Sequence, residues 1–141
     1  MKNNKLSIIF TLAWMAIIFT MSSFNSIESA NQSNYIVNII SSVLNINNIE
    51  LLNLIIRKLA HYIEYLILGI LVINMFIKNN IPKSYLISII FCVIYAISDE
   101  IHQFIIPGRA CQIKDILIDS IGSITGIYLY KLISKRKKSI N

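Results

Sequence analysis

Four long apolar stretches separated by short polar segments dominate the pattern of this chain of 141 residues. The first, residues 6–27, contains no charged residue, and ~20 apolar residues are enough to cross a bilayer as an α-helix. The others cover residues 54–77, 84–105 and 113–133, with prolines in the last two connections. The pattern predicts an all-α integral membrane bundle of four transmembrane helices, which we expect to form a single domain over residues 1–141.

The connection between the first two predicted spans has a helical pattern of its own. Its apolar residues recur at intervals of three and four, which predicts a short helix in the membrane interface, although an ordinary amphipathic connector explains the pattern equally well. These residues are Ile36, Ile39, Ile40, Val43 and Leu44.

The first span also has the basic start of a signal peptide, because Lys2 and Lys5 precede it. Cleavage requires small residues before the cut, and Glu28 in the sequence Glu28-Ser29-Ala30 occupies the important upstream position. We therefore expect an uncleaved helix.

The composition supports a membrane protein. Hydrophobic residues make up 55% of the chain and charged residues 14%, which is too few to cover a soluble globule of this size. The abundance of Ile, Leu, Phe and Tyr excludes a disordered low-complexity chain. We expect a multi-pass protein of the cell membrane whose partners include membrane lipids.

The basic residues predict how the bundle is oriented. Nine of the 13 basic residues fall on one side of the predicted spans, whereas all seven acidic residues fall on the other. The positive-inside rule makes the basic side cytoplasmic, so both termini are expected in the cytoplasm. We interpret the basic run at the end of the chain as an anchor for anionic lipid, and no nucleic-acid partner is expected. The nine residues are Lys2, Lys5, Lys78, Lys83, Lys131, Lys135, Arg136, Lys137 and Lys138.

Ionisable residues interrupt the last three spans near their predicted outer ends. Such residues usually face the interior of a helix bundle or a water-filled cavity, and they mark functional sites. Because residues three or four positions apart share a helix face, we expect one outward-facing polar pocket. Its predicted members are Arg57, Lys58, His61, Glu64, Asp99, Glu100, His102, Gln103, Arg109, Asp115 and Asp119.

Helical spacing refines the third span. Tyr95, Asp99 and His102 share one face, so they are expected to point into the pocket. Glu100 and Gln103 are expected to point more to the side of the helix.

Spacing also refines the fourth span and the edge of the pocket. Gly122 and Gly126 have the small-xxx-small spacing that lets helices approach closely, which is expected to bring Asp119 near a neighbouring helix. Glu28 and Glu50 lie outside the predicted spans, so we expect them to be peripheral.

Two chemistries follow directly from the charges. In an internal ion-pair network, the basic groups balance the acidic ones and offset their desolvation. In an anion-binding site, Arg57 and Arg109 each form paired hydrogen bonds to a phosphate or carboxylate, with Lys58 as a nearby point charge.

A metal site is the third hypothesis. His61, Glu64, Asp99 and His102 offer mixed imidazole and carboxylate ligation suited to zinc or a similar ion. The spacing of His61 and Glu64 on its own is a weak signal. The sequence contains no recognisable organic-cofactor motif, which leaves a metal ion as the cofactor to consider.

Three polar motifs together resemble the VanZ-like family of membrane proteins. They are residues 57–65, residues 98–103 with 107–109, and residues 115–122, accompanied by the pair Ser22-Ser23 after the first span. The resemblance implies the membrane bundle, the pocket residues and a connection with resistance to the glycopeptide teicoplanin. It does not supply a reaction.

Two functions are compatible with these features. The first is a cell-envelope protein that lowers susceptibility to glycopeptide antibiotics such as teicoplanin, by binding a lipid-linked envelope precursor or a glycopeptide at the outer membrane face. The alternative is a membrane-embedded hydrolase or transferase acting on a lipid-linked cell-envelope substrate. In that case Glu64 or Asp99 is the general base and His61 or His102 is the proton shuttle.

Overall fold

The computed structural model describes residues 2–44 and 48–140, and within these ranges the secondary structure is entirely helical. The helices are α1 (Lys2–Ser22), α2 (Ser26–Leu44), α3 (Ile49–Lys78), α4 (Ser84–Ile105) and α5 (Ile113–Ile140). All except α2 contain a segment long and apolar enough to cross a membrane. These helices confirm the predicted all-α bundle with four membrane-spanning helices, and the protein is a multi-pass membrane protein.

The first helix ends earlier than the predicted span. Residues 6–27 are continuously uncharged, but α1 ends at Ser22 and the chain turns before α2 begins. Asn25 starts the new helix because its side-chain oxygen accepts hydrogen bonds from the backbone N–H groups of Ile27 and Glu28, both at 3.0 Å. The Glu28 carboxylate accepts one in return from the Asn25 N–H at 3.1 Å. This reciprocal cap divides a stretch that hydrophobicity alone does not divide.

The helix predicted in the first connection is present, but it is longer than its apolar pattern. α2 begins at Ser26, and α3 follows from Ile49, before the predicted residue 54. Val37 is fully buried against the bundle, whereas Ile36, Ile39 and Val43 are exposed. The fifth residue of the predicted pattern, Leu44, has a side chain outside the described set. An exposed apolar stripe suits a membrane interface, and that placement stays a prediction.

The central helix is α3, which packs against all the other helices and most extensively against α5. Glycines make this approach possible. A Cβ atom at Gly122 would collide with the carbonyl oxygen of Tyr62, and one at Gly126 would collide with that of Leu66. The close packing expected from the spacing of these two glycines is therefore present between α5 and α3.

Contacts between the helices show in which direction each one runs. α3 and α5 are parallel, because Lys58 meets Asp115 near their starts and the Tyr130 hydroxyl meets Asn74 further along, at 3.3 Å. Hydrogen bonds from α1 to the other helices show that it runs antiparallel to α3 and parallel to α4.

The bundle consequently has two different ends. The ends of α1 and α4 and the starts of α3 and α5 form one of them, which we call the polar end. The opposite end, the basic end, carries Lys78 and Lys83 around the connection from α3 to α4. Placing the basic end in the cytoplasm stays a prediction. The basic anchor run falls partly on residues 136–138, whose side chains lie outside the described set.

Candidate functional site

Two adjacent cavities lie at the polar end, and both are lined by Arg57 and His61. The outer cavity has a volume of about 350 Å³ and the inner cavity about 160 Å³. The outer cavity is lined by Ala30, Glu50, Asn53, Leu54, Arg57, Lys58, His61, Gln112 and Asp115. The inner cavity is lined by Met21, Ser22, Ser29, Ser33, Ile36, Ile56, Arg57, Ala60, His61, Glu64 and Arg109.

The N-terminal half of α3 supplies the central residues of the site. Arg57, His61 and Glu64 are spaced so that one face of a helix presents all three, and all three line the inner cavity. Arg57 is exposed, whereas His61 and Glu64 are partly buried. The predicted grouping of these residues therefore corresponds to one wall of the site.

A charged pair joins the start of α3 to the start of α5. The Lys58 Nζ atom donates a hydrogen bond to Asp115 Oδ1 at 2.6 Å. The two side chains are 31% and 13% exposed. Because the pair is partly buried, it is less screened than a surface pair and holds the two helices together at the cavity.

Behind His61 lies a buried carboxylate. Asp119 is fully buried, and its Oδ1 atom is 3.6 Å from His61 Nδ1. This distance is too long for a hydrogen bond, and the two groups attract each other as charges only when the imidazole is protonated. Within the described part of the chain, neither oxygen of Asp119 has a hydrogen-bond partner. His61 thus separates a buried carboxylate from both cavities.

Two further buried carboxylates come from α4. Asp99 is 3% exposed and accepts a hydrogen bond from Gln103 Nε2 at 3.1 Å, while Glu100 is fully buried and accepts one from the Gln112 backbone N–H at 2.9 Å. Each has a second oxygen without a partner among residues 2–44 and 48–140. Asp99 also lies within electrostatic range of Asp119.

The structure differs from the predicted orientation of the α4 residues. Glu100 and Gln103 are as deeply buried as Asp99 instead of pointing to the side. The reason is that α4 has neighbours on several sides. The chain after α4 covers Glu100 through Gln112, and the end of α1 covers Gln103, whose Nε2 atom lies 3.4 Å from Ser22 Oγ.

His102 lies away from both cavities. Its Nε2 atom is 3.1 Å from Ser23 Oγ, and its ring stacks on Phe19 with the ring centroids 4.4 Å apart. A step of three residues rotates a helix face by about 60°, which is enough to turn His102 from the face of Asp99 toward α1. His102 therefore lines neither of the two cavities, unlike His61.

The candidate metal ligands are not brought together as a set. Of the four, His61 and Glu64 line the inner cavity, Asp99 is buried behind it, and His102 faces α1. In the ranges 2–44 and 48–140, no three His, Cys, Asp or Glu side chains are arranged to hold a metal ion.

Arg109 connects the chain after α4 to the start of α2 and the end of α1. Its Nη1 atom donates to the Ser22 carbonyl at 3.3 Å, and its Nη2 atom donates to Ser29 Oγ at 2.9 Å. Burial, with a contribution from the charge of Arg57, lowers the pKa of Arg109 from its ordinary value. Arginine nevertheless remains protonated near neutral pH, so a cation sits at the C-terminal end of the α1 dipole.

Several residues of the site were not predicted. Ser22 and Ser29 hold Arg109, and the buried Tyr65 hydroxyl has no partner within the described residues. Ser22 and Tyr65 were part of the motifs that carried the family resemblance, so that resemblance was the signal available for them. Glu50 was expected to be peripheral, but it lines the outer cavity because α3 starts five residues before the predicted span.

Comparison with known protein families gives one match. The model of the VanZ/LLP1 family matches residues 7–134. This range includes both cavities and all the buried carboxylates described above. Comparison with curated proteins and with solved structures gives no match. Because the family model covers most of the chain, this protein belongs to the VanZ/LLP1 family.

Proposed function

We propose that this protein binds the anionic head of a lipid-linked cell-envelope molecule at the outer face of the cell membrane. The observation that carries the proposal is the position of Arg57, an exposed arginine that lines both cavities. A guanidinium group matches the geometry of phosphate and carboxylate groups and binds them through two parallel hydrogen bonds.

The neighbouring cations have partners within the protein. Lys58 is paired with Asp115, and two nitrogens of Arg109 bond to Ser22 and Ser29. Among the described residues, Arg57 forms no ion pair. Its donors are therefore available to a ligand, while Lys58 and Arg109 contribute positive charge around it.

The size of the site favours a head group over a whole antibiotic. A volume of about 350 Å³ lies at the lower end of the range for small-molecule sites. A phosphate-bearing head group fits this volume, whereas a glycopeptide exceeds it. We therefore favour the envelope precursor as the ligand. Teicoplanin susceptibility then falls because a precursor held by this protein is less accessible to the antibiotic.

Binding of a polyprenyl-pyrophosphate-linked precursor to purified protein in lipid nanodiscs tests the proposal. Arg57→Gln removes the charged hydrogen bonds, so we expect affinity to fall roughly tenfold to a hundredfold. Lys78→Gln, at the basic end, is the matched control and should leave affinity unchanged. Equal affinity of wild type and Arg57→Gln would refute the proposal. In cells, the wild type but not Arg57→Gln should raise the teicoplanin concentration needed to inhibit growth.

A second candidate function is a membrane hydrolase or transferase acting on the same class of lipid-linked substrate. The observation that favours it is the position of His61, which lines both cavities. Its Nδ1 atom is 3.6 Å from Asp119 Oδ1, and Glu64 lies one helical turn further along α3. In this arrangement Glu64 is the general base and His61 the proton shuttle. Asp99 and His102 are poorer candidates for these roles, because neither lines the outer or the inner cavity.

Turnover distinguishes the two functions. If a labelled envelope precursor is converted by wild type in lipid but not by Glu64→Gln of unchanged melting temperature, the protein is an enzyme. Saturable binding without conversion supports the binding function instead.

A further inference from the structure

The inner cavity is lined by ionisable, polar and apolar side chains. Arg57, His61, Glu64 and Arg109 are ionisable and three serines add hydroxyl groups; we call the exposed apolar residues of the lining its apolar side. Three helices supply the apolar side: Met21 comes from α1, Ile36 from α2 and Ala60 from α3. Since these three residues are themselves exposed, the apolar side borders the outer surface of the protein.

The surface next to this apolar side belongs to a candidate membrane span. Ala60 and Ile63 are neighbours on α3, and Leu59 and Ile63 are 56% and 46% exposed. All three lie in the span Ile49–Lys78. In the membrane, a hydrocarbon chain leaving the inner cavity beside Ala60 therefore enters lipid rather than water.

The outer cavity has a different lining. Lys58, Asp115 and Glu50 line it, together with the two residues that also line the inner cavity, Arg57 and His61. A molecule occupying both cavities therefore contacts both of these side chains. Its anionic part gains most next to Arg57, and its apolar part gains most next to Ala60.

We infer that the ligand is a single-chain amphiphile that occupies both cavities. Its phosphate head lies in the outer cavity, and its hydrocarbon chain leaves through the inner cavity into the bilayer beside α3. The inference rests on the proposed function and adds to it a second element of recognition, the chain, with its own path. A soluble sugar phosphate fills the outer cavity alone, and a neutral lipid has no group for Arg57.

The experiment compares two probes, inorganic pyrophosphate and geranylgeranyl pyrophosphate, on protein in nanodiscs, with empty nanodiscs as the blank. Wild type should bind the prenyl compound more tightly. Ala60→Trp fills the apolar side of the inner cavity, so we expect it to weaken prenyl binding by roughly tenfold or more, the effect of a lost apolar subsite. Inorganic pyrophosphate binding should be unchanged. Ile63→Trp, which introduces the same ring on the same helix but lines neither cavity, should affect neither probe.

A second variant tests whether the loss of prenyl binding in Ala60→Trp is caused by a folding defect. Met21→Trp narrows the same opening from α1, and it should reproduce the selective loss of prenyl binding. The inference is overturned if wild type shows no preference for the prenyl chain, or if both tryptophan variants of normal melting temperature retain that preference. If wild type binds neither probe, or binds both independently of Arg57, the proposed function itself is refuted.

Discussion

The two halves of the bundle bury side chains of different chemistry. In the half toward the basic end, α3 buries Leu68 and Val72 against Cys92 and Ala96 of α4, all fully enclosed. In the half toward the polar end, the enclosed residues include three carboxylic acids, Asp99, Glu100 and Asp119, together with the amide of Gln103. Both halves use the same four long helices, so helix formation and membrane insertion do not explain the difference.

The difference separates stability from function. In the half toward the basic end, apolar packing accounts for the burial of Leu68, Val72, Cys92 and Ala96. In the polar half, Asp99, Glu100 and Asp119 each keep an oxygen without a hydrogen-bond partner inside the described residues. Buried groups of this kind reduce stability, and ionisable groups inside membrane proteins are generally there for function. Substitutions in the two halves should therefore have different consequences.

The largest effect expected is an all-or-none difference in maleimide labelling between cysteines introduced at the two ends of the bundle. With Cys111 replaced by serine, a membrane-impermeant maleimide applied to intact cells should label Asn31→Cys on α2 but not Asn80→Cys after α3. Both positions are exposed, and the remaining Cys92 is buried. The reason is the positive-inside rule, which retains the basic end in the cytoplasm.

Labelling of both positions after permeabilisation is the control for reactivity. The reverse pattern in intact cells would place the cavities at the cytoplasmic face, and an outer-leaflet ligand would then have no access to Arg57.

The next largest effect is a loss of stability, which we expect from a substitution where α5 packs against α3. Gly126→Val forces side-chain atoms into the carbonyl oxygen of Leu66, so the helices must separate. Overpacking costs about 1–3 kcal/mol and occasionally more, and here the obstacle is backbone, which yields less than a side chain. The melting temperature in detergent should fall strongly. Ile124→Val, on the exposed side of the same helix turn, is the control. Equal melting temperatures for the two variants would contradict the close packing.

Sequence patterns predicted the helices best where hydrophobicity changes abruptly. α4 coincides with the predicted residues 84–105, because Pro82 and the left-handed Lys83 (φ 52°) end the preceding connection. The end of α1 was missed because Asn25 and Glu28 form a local cap within an apolar run. A hydrogen-bonded cap leaves little trace in a hydrophobicity pattern.

The site was predictable where a single helix determines it. Arg57, His61 and Glu64 share a face by helical geometry alone, and the structure places them along one cavity. His102 and Glu100 depend on where other helices pack, which spacing within α4 does not determine. Phe19 of α1 provides the surface on which the His102 ring stacks, and Gln112 encloses Glu100.

The smallest effect on stability is expected at the most deeply buried carboxylate. Asp119→Asn keeps the shape of the side chain and removes a carboxyl group whose oxygens, within the described part of the protein, receive no hydrogen bond. We expect the free energy of unfolding to change by less than about 1 kcal/mol or to increase, because an amide at this buried position cannot ionise and therefore carries no cost of desolvating a charge. Leu68 is equally buried, in the half toward the basic end, and Leu68→Ala should lower the free energy of unfolding by about 2–5 kcal/mol.

Unfolding of both variants in the same detergent, together with binding of the polyprenyl-pyrophosphate probe, checks this contrast. Asp119 Oδ1 is 3.6 Å from His61 Nδ1, so replacing the carboxyl group should alter ligand binding or turnover even though the fold is retained. Leu68→Ala should show the opposite combination, a less stable protein whose remaining folded fraction binds normally. If Asp119→Asn destabilises the protein as much as Leu68→Ala, the carboxylate holds the helices together. The two halves of the bundle would then not differ in what their buried residues contribute.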